Sequence, residues 1–133
     1  MATTVCPCGS GNGFESCCGP IIDDARPAAT AEALMRSRFS AFATGDVAHL
    51  QRSWAAEARP AEVRIDDGRR WTRLEILDVV DGRQLDTTGI VEFRAHYDDR
   101  GIAGVLHERS TFARERGRWV YVGREALDGS SRS

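Results

Sequence analysis

The chain has 133 residues and a formal net charge of −2 at neutral pH, and all 18 of its basic residues are arginines. A chain of this length forms one domain with a core of its own. The small negative charge gives no general reason to bind nucleic acid or an anionic membrane, no apolar run is long enough to span a membrane, and the N-terminus lacks the basic and apolar segments of a secretory signal. We therefore expect a cytoplasmic protein.

All four cysteines lie between positions 6 and 18, as the pair Cys6 and Cys8 and the adjacent pair Cys17 and Cys18. Clustered cysteines in a reducing compartment bind metal more often than they form disulfides, and Zn²⁺ prefers a tetrahedron of such ligands. We predict one structural Zn²⁺ ion held by all four thiolates. Disulfides and free buried thiols are the alternatives, although a disulfide between adjacent cysteines is strained.

Residues 1–20, which we call the cysteine knuckle, have little apolar content and cannot form a core of their own. Glycines at positions 9, 11 and 13 permit positive φ angles, which lets the chain fold back so that the two cysteine pairs meet, and their N–H groups are expected to donate to the thiolates. Two prolines mark residues 21–29 as a linker. We therefore expect the cysteine knuckle to fold and unfold separately from the rest.

Two helices are predicted after the linker. Thr30 is suited to cap the first helix, which runs to about Ala43 and ends at Gly45. Asp46 is suited to cap the second, and Pro60 ends that region.

Runs of β-branched and aromatic residues between turn signals predict four strands, at 71–80, 87–97, 102–113 and 118–122. Two helices followed by an antiparallel meander make an α+β domain at residues 30–125. Residues 126–133 are small and polar, and we expect them to be disordered.

Two motifs resemble known families. The pattern Cys6-Pro-Cys-Gly-Ser-Gly…Cys17-Cys18-Gly19 resembles the SEC-C motif, known from the C-terminal tail of the SecA translocase ATPase, where it binds zinc. The last ligand there is usually histidine, and Cys18 takes that position here. The segments at 34–42, 107–110 and 117–119 resemble the bacterial YchJ family, which joins a SEC-C motif to a nuclear transport factor 2-like (NTF2-like) domain. The resemblance implies a curved sheet covered by the first helix, often with a pocket, and implies no activity.

Strand alternation places two polar residues on the apolar face of the sheet. Phe93 shares a face with Tyr97, and matching apolar faces across the register puts Glu108 inside. Arg38 lies on the apolar stripe of the first helix, so we predict a buried ion pair between Arg38 and Glu108. The alternative is a polar floor in a ligand pocket. The candidate pocket residues are Arg38, Phe93, Tyr97, Glu108, Ser110, Phe112, Trp119 and Tyr121.

Three histidines and an arginine-rich hairpin lie outside both the cysteine knuckle and the candidate pocket. His96 and His107 share the opposite face of the sheet, where we expect solvated side chains and not a second metal site. His49 is expected near the exposed side of the second helix, without a role. The arginines at positions 114, 116 and 118 are expected to form a solvated hairpin tip, with a nucleic-acid contact as the alternative.

These features favour a zinc-binding adaptor. The cysteine knuckle would present a surface to a protein or ribosomal partner, and the larger domain would bind a peptide or small molecule. The alternative is an enzyme that uses Glu108 as a general acid or base, although an ion-paired carboxylate is poorly suited to that role. Nucleic-acid binding by the knuckle is disfavoured, because the segment from Cys6 to Pro20 has no basic residue.

Overall fold

The computed structural model describes residues 5–66 and 68–125, and the predicted α+β architecture is confirmed. A 3₁₀ turn at Phe14–Ser16 precedes three helices: α1 (Cys18–Ile22), α2 (Ala31–Thr44) and α3 (Val47–Arg52). The strands are β1 (Arg69–Asp81), β2 (Thr88–Asp99), β3 (Ile102–Glu115) and β4 (Arg118–Arg124). The tail at 126–133, for which disorder is expected, lies outside the described residues.

The ends of α2 and α3 follow from capping residues that the sequence contains. The side chain of Thr30 accepts a hydrogen bond of 3.0 Å from the N–H of Ala33, and Gly45 ends α2 with a φ of 84°. The side chain of Asp46 accepts a bond of 3.0 Å from the N–H of His49 at the start of α3. Both predicted helices are confirmed.

Helix α1 is an addition to the predicted elements. It begins at Cys18, inside the cysteine knuckle, and ends at Ile22. The first two residues of the expected linker are therefore helical, and Ile22 is buried. Residues 23–29 form turns and irregular structure that lead to α2.

The strands form an antiparallel meander in the order β1-β2-β3-β4. The two hairpins that join β2 to β3 and β3 to β4 turn at Arg100–Gly101 and Arg116–Gly117, where all four residues have positive φ. Positive φ at both central residues is the geometry of a type I′ turn, which matches the twist of the flanking strands. Because these turns are so short, β2 and β3 extend to the hairpin tips.

Helix α2 packs on one face of the sheet, which we call the inner face. Glu108 lies opposite Phe93 and Ser110 lies opposite Val91 in the β2–β3 register, so the predicted matching of apolar faces is confirmed. Breaks in the β1–β2 register at two positions along β1 mark bulges, which bend the strand. Leu34, Met35 and Phe39 of α2 pack with Leu74, Val91, Phe93, Ala95, Phe112 and Trp119 of the sheet.

Across residues 5–66 and 68–125, the helices are all too short or too polar to cross a bilayer.

Candidate metal centre and inner cavity

The side chains of the four cysteines converge. Their Sγ atoms all lie within 4.8 Å of one another, and the Sγ atoms of Cys8 and Cys17 are 3.6 Å apart. Sulfurs around a tetrahedral zinc ion with Zn–S bonds of about 2.3 Å are about 3.8 Å apart. Cys6, Cys8 and Cys18 are buried and Cys17 is half-buried, and all four thiols are free. The donor set therefore fits one tetrahedral metal ion.

The loop between the two cysteine pairs turns as its glycines permit. Gly9 and Gly11 have φ angles of 83° and 89° and use the freedom that glycine permits, whereas Gly13 has a φ of −70° and does not. The N–H of Cys6 donates to the carbonyl oxygen of Asn12 at 2.9 Å and closes the loop. The polar partners of the sulfurs come mainly from serine hydroxyl groups, such as that of Ser10, 3.2 Å from Cys17 Sγ.

Without a metal ion, the thiols compete for protons. A hydrogen bond from the Cys18 thiol lowers the pKa of Cys8 to about 4, and the same bond raises the pKa of Cys18. Burial raises the pKa of Cys17. Ionisation of Cys17 and Cys18 is therefore unfavourable beside the Cys8 thiolate, and a bound cation would compensate for this added negative charge.

The cysteine knuckle is attached to α2 by specific contacts. Nη1 of Arg36 donates to the carbonyl oxygen of Cys8 at 2.8 Å, while Nε of the same side chain pairs with Glu32 at 2.9 Å. Cys6 Sγ lies 3.6 Å from the hydroxyl group of Ser40, in the buried part of α2. The segment around the metal site therefore contacts the middle of α2 through one hydrogen bond to a backbone carbonyl and one contact to a cysteine sulfur.

The knuckle also shares a hydrophobic core with the larger domain. This core contains Cys6, Cys8, Cys18, Ile22, Ala41, Leu50 and Val63, with Phe14 and Phe42 packed against it. Gly19 allows the closest approach within the knuckle, because a Cβ atom there would lie 2.8 Å from the carbonyl oxygen of Phe14. The cysteines are buried together with residues of α2 and α3, which favours joint unfolding of the knuckle and these helices over the separate unfolding expected from the sequence.

A cavity of about 140 Å³ lies between α2 and the inner face of the sheet; we call it the inner cavity. Five of the candidate pocket residues line it: Arg38, Phe93, Glu108, Ser110 and Tyr121. Sequence reasoning missed seven further lining residues: Met35, Phe39, Phe42, Trp54, Trp71, Ala95 and Leu106. Tyr97, Phe112 and Trp119 lie elsewhere. Tyr97 is near the β2–β3 turn, Phe112 is in the core, and Trp119 donates its indole N–H to the carbonyl oxygen of Ala29.

Arg38 is buried, with 4% of its surface exposed, as its place on the apolar stripe predicts. Nη1 donates to the carbonyl oxygen of Leu50 at 3.0 Å and to the hydroxyl group of Ser53 at 2.7 Å. Its guanidinium carbon lies 4.9 Å from the ring centroid of Trp54 and 4.7 Å from that of Tyr121. Burial lowers the pKa of Arg38 to about 10, which leaves it charged at neutral pH.

Glu108 is also buried, but the predicted ion pair with Arg38 is wrong. Among the described residues, no ion pair joins the two side chains. Oε2 of Glu108 instead accepts hydrogen bonds from the hydroxyl groups of Ser110, at 2.5 Å, and Tyr121, at 2.9 Å. Burial and the negative charge of Glu108 raise the pKa of Tyr121. The two charges thus have separate partners, and Tyr121 contacts both.

The three histidines have separate surroundings. His96 Nε2 pairs with Glu75 at 2.8 Å and His107 Nε2 pairs with Glu92 at 2.6 Å, both away from the inner face. Within the described part of the chain, the cysteines are the one cluster with metal-ligand geometry. The exposed position expected for His49 is wrong, because α3 packs this side chain against α2 and leaves it 3% exposed.

Comparison with known proteins matches both parts of the chain to described families. Residues 4–20 match the SEC-C motif, and residues 30–123 match the family described as YchJ, middle NTF2-like domain. A UPF0225 protein of Streptomyces coelicolor is 52% identical over 128 residues, covering 96% of this chain and 100% of that protein.

Two solved structures have the same fold. A SEC-C motif containing protein from Rhodopseudomonas palustris has a TM-score of 0.80 and 33% identity, covering 96% of this chain and 100% of that chain. A second SEC-C motif containing protein, from Psychrobacter arcticus, has a TM-score of 0.71 at 19% identity, covering 96% of this chain and 86% of the other, and shows the fold alone.

The fold and the cysteine cluster therefore define a SEC-C motif joined to an NTF2-like domain. The chain belongs to the YchJ family, and its bacterial relatives carry the name UPF0225. The resemblance inferred from the sequence motifs is confirmed.

Proposed function

We propose that Cys6, Cys8, Cys17 and Cys18 bind one structural Zn²⁺ ion. The observation that carries this proposal is the convergence of four Sγ atoms within 4.8 Å. A tetrahedral set of four sulfur ligands selects Zn²⁺ or iron among the common metals. Because the protein supplies every ligand, the site is closed and has no position for a substrate. When bound, the ion holds the two ends of the glycine-rich loop together.

Elemental analysis of the purified, reduced full-length chain tests the metal. We expect one equivalent of zinc, and Co²⁺ substitution should give the absorption bands of a tetrahedral site with thiolate ligands. The Cys17→Ser variant should lose most of the bound metal. Ser16→Ala, next to this ligand, is the matched control and should keep a full equivalent. Less than half an equivalent in the reduced wild-type chain would contradict the proposal.

We further propose that the inner cavity binds a small, mostly apolar molecule. Its volume, about 140 Å³, is close to that of an engineered cavity of about 150 Å³ that holds benzene in another protein. Aromatic and aliphatic side chains form most of the wall, and the polar groups are few, which is typical of ligand sites. A cavity of this size fits a single ring or a short chain and is too small for a peptide.

Arg38 and Glu108 supply the polar contacts for such a ligand. Nη1 of Arg38 is already bonded, whereas Nε and Nη2 donate to none of the described residues. Glu108 uses Oε2 for both of its hydrogen bonds, which leaves Oε1 as an acceptor. The ligand should therefore carry a hydrogen-bond acceptor for Arg38 and a donor for Glu108, as a primary amide does. Since hydroxyl donors hold the carboxylate in place, the site favours binding over proton transfer.

Three probes of one shape test this ligand chemistry: benzamide, benzoate and toluene. We expect benzamide to bind most tightly, with shifts in the indole NMR signals of Trp54 and Trp71. Arg38→Met should weaken benzamide binding by about tenfold, because the amide oxygen loses its charged donor. The exposed substitution Arg73→Met should leave it unchanged. If none of the probes shifts either indole signal, the cavity does not bind ligands of this class.

The protein or ribosomal partner expected for the cysteine knuckle stays a prediction. Its exposed part among the described residues consists of Val5, residues 9–12, Glu15 and Ser16, of which only Val5 is a large apolar side chain. A cytoplasmic location is also still a prediction.

A further inference from the structure

A second and larger cavity of about 630 Å³ opens between α1, α3 and the β3–β4 hairpin, on different residues from the inner cavity; we call it the arginine cleft. Its volume lies in the range of roughly 300–1,000 Å³ that is usual for ligand sites. Five arginines line it: Arg26, Arg52, Arg59, Arg116 and Arg118. The chain as a whole has a net charge of −2, so this concentration of positive charge is local.

Two carboxylates also line the cleft, and both already have partners. Asp24 accepts a hydrogen bond of 2.6 Å from Arg118. Glu115 accepts one of 3.1 Å from the backbone N–H of Ala56. One arginine is thus paired with a carboxylate.

The other four arginines of the cleft form no ion pair with a carboxylate among the described residues. Arg26, Arg52 and Arg59 donate to backbone carbonyl groups, which position a guanidinium group without neutralising it. Arg116 forms no ion pair with the described residues. Guanidinium groups that are held by carbonyl oxygens and are not paired with a carboxylate are suited to bind a multiply charged anion, and Arg116 adds a further charge beside them.

His49 forms a buried part of the cleft wall, and its ring indicates that a ligand should also supply a hydrogen-bond donor. The hydroxyl group of Ser37 donates to the carbonyl oxygen of Leu34 at 2.7 Å, so its oxygen accepts from Nε2–H of His49 at 2.8 Å. This assigns the proton of the neutral ring to Nε2 and leaves Nδ1 as an acceptor. Nδ1 is fully buried and has no partner among the described residues. Buried polar atoms are almost always hydrogen-bonded, so this atom points to a missing donor.

His49 and Arg52 are three residues apart on α3, so they lie on one side of the helix, and both line the cleft. Burial, and then the positive charge of Arg52, lower the pKa of His49 to about 4. The ring is therefore neutral at physiological pH. An anion bound by Arg52 would lie beside the histidine, and an O–H group on that anion is the kind of donor that Nδ1 lacks. Sulfate and simple carboxylates carry none at neutral pH, whereas inorganic phosphate carries at least one, and phosphate esters of polyols carry hydroxyl groups. Phosphate also brings two negative charges on one small group, which suits several arginines better than a single carboxylate does.

We propose that the arginine cleft binds a small phosphate-bearing molecule. The arginines contact its anionic oxygens, and one of its O–H groups donates to Nδ1 of His49. Free phosphate and a phosphate ester of a polyol share this chemistry.

Isothermal titration with inorganic phosphate, glycerol 3-phosphate and sulfate, in a low-salt buffer without other multivalent anions, tests the proposal. We expect saturable binding of at least one phosphate compound, and at least about tenfold weaker binding of sulfate, which lacks the donor. The tighter of the two phosphate compounds identifies the source. Absence of saturable binding by both, or binding of sulfate that equals theirs, would overturn the proposal.

Substitutions then locate the site. Arg52→Gln and Arg116→Gln should each weaken phosphate binding by about tenfold, because each removes one charged hydrogen bond. Arg70→Gln is the matched control, since Arg70 is an exposed arginine near the β2–β3 turn at the other end of the sheet. Equal binding by Arg52→Gln, Arg116→Gln and the control would overturn the assignment to this cleft. Unchanged thermal unfolding of each variant establishes that the fold is retained.

Discussion

The hydroxyl group of Tyr121 donates a hydrogen bond of 2.9 Å to Glu108, and this bond connects β4 to β3 on the inner face of the sheet. The ring of the same tyrosine packs against the guanidinium group of Arg38, with 4.7 Å between the guanidinium carbon and the ring centroid. Tyr121 thus separates two buried charges that the sequence suggests should meet directly. Each charge has its own hydrogen-bond partners, which has measurable consequences for stability.

Tyr121→Phe should lower the free energy of unfolding by about 1–3 kcal/mol, because a buried carboxylate loses one of its two donors. Tyr97→Phe is the control, since the hydroxyl group of Tyr97 donates to none of the described residues and its removal should change stability by less than about 0.5 kcal/mol. Urea unfolding at neutral pH measures both values. Equal effects would mean that the hydrogen bond to Glu108 contributes little.

A double-mutant cycle of Arg38→Met and Glu108→Leu tests whether the two charges depend on each other. Each substitution should destabilise by about 2–4 kcal/mol, because each removes buried hydrogen bonds and leaves their partners unsatisfied. The coupling free energy should lie near the lower end of the range for residues that share a neighbour, about 0.5–1 kcal/mol, since Tyr121 contacts both side chains but no direct bond joins them. A direct buried ion pair would instead let the double variant recover several kcal/mol. Such recovery would contradict the geometry described above.

Local features of the fold are readable from the sequence because they depend on neighbouring residues. Thr30 and Asp46 cap their helices through bonds that span three residues, and the Arg-Gly pairs favour tight hairpin turns. The cysteine cluster is readable for the same reason, because both pairs lie within one short loop. Alternation along β3 also placed Glu108 correctly on the inner face.

Contacts between residues that are distant in the sequence could not be predicted from it, because they depend on how helices and strands pack together. Ser37 and Ser40 of α2 face α3 and the cysteine knuckle, so this helix is buried on a second side. In the sequence, the available signal for this second contact face was that two small residues lie opposite the apolar stripe. The structure buries both of them fully. The burial of His49 follows from the same contact between α2 and α3. The sequence of α3 alone does not predict this burial, because the helix is too short to show a clear apolar face.

His49 should make stability depend on pH. Its pKa is lowered to about 4 in the folded chain by burial, against a usual value of 6.5. The unfolded state therefore binds more protons between these values, so the free energy of unfolding falls as pH decreases from about 6.5 to about 4. At pH 4 the titration of His49 has lowered the free energy of unfolding by about 3 kcal/mol relative to neutral pH. His49→Gln should flatten the stability curve between pH 6.5 and 5, where few carboxylates titrate, and an unchanged slope would contradict this assignment.

The metal site is part of a second hydrophobic core, which it shares with α2 and α3 and which lies apart from the core between α2 and the sheet. Cys6, Cys8 and Cys18 are buried together with Ala41 of α2 and Leu50 of α3. Loss of a structural zinc ion removes its binding free energy from the folded state, and the shared core spreads that loss beyond the loop. Metal removal should therefore lower the thermal midpoint of the whole chain in one cooperative transition.

Hydrogen–deuterium exchange of the reduced full-length chain, with and without a zinc chelator, tests this claim most directly. We predict faster exchange in the middle of α2, around Ser40 and Ala41, and in α3, as well as in the cysteine knuckle. Returning zinc should restore the protection. If the chelator accelerates exchange in residues 5–22 alone and leaves α2 and α3 as slow as before, the cysteine knuckle unfolds as a separate unit, contrary to this prediction.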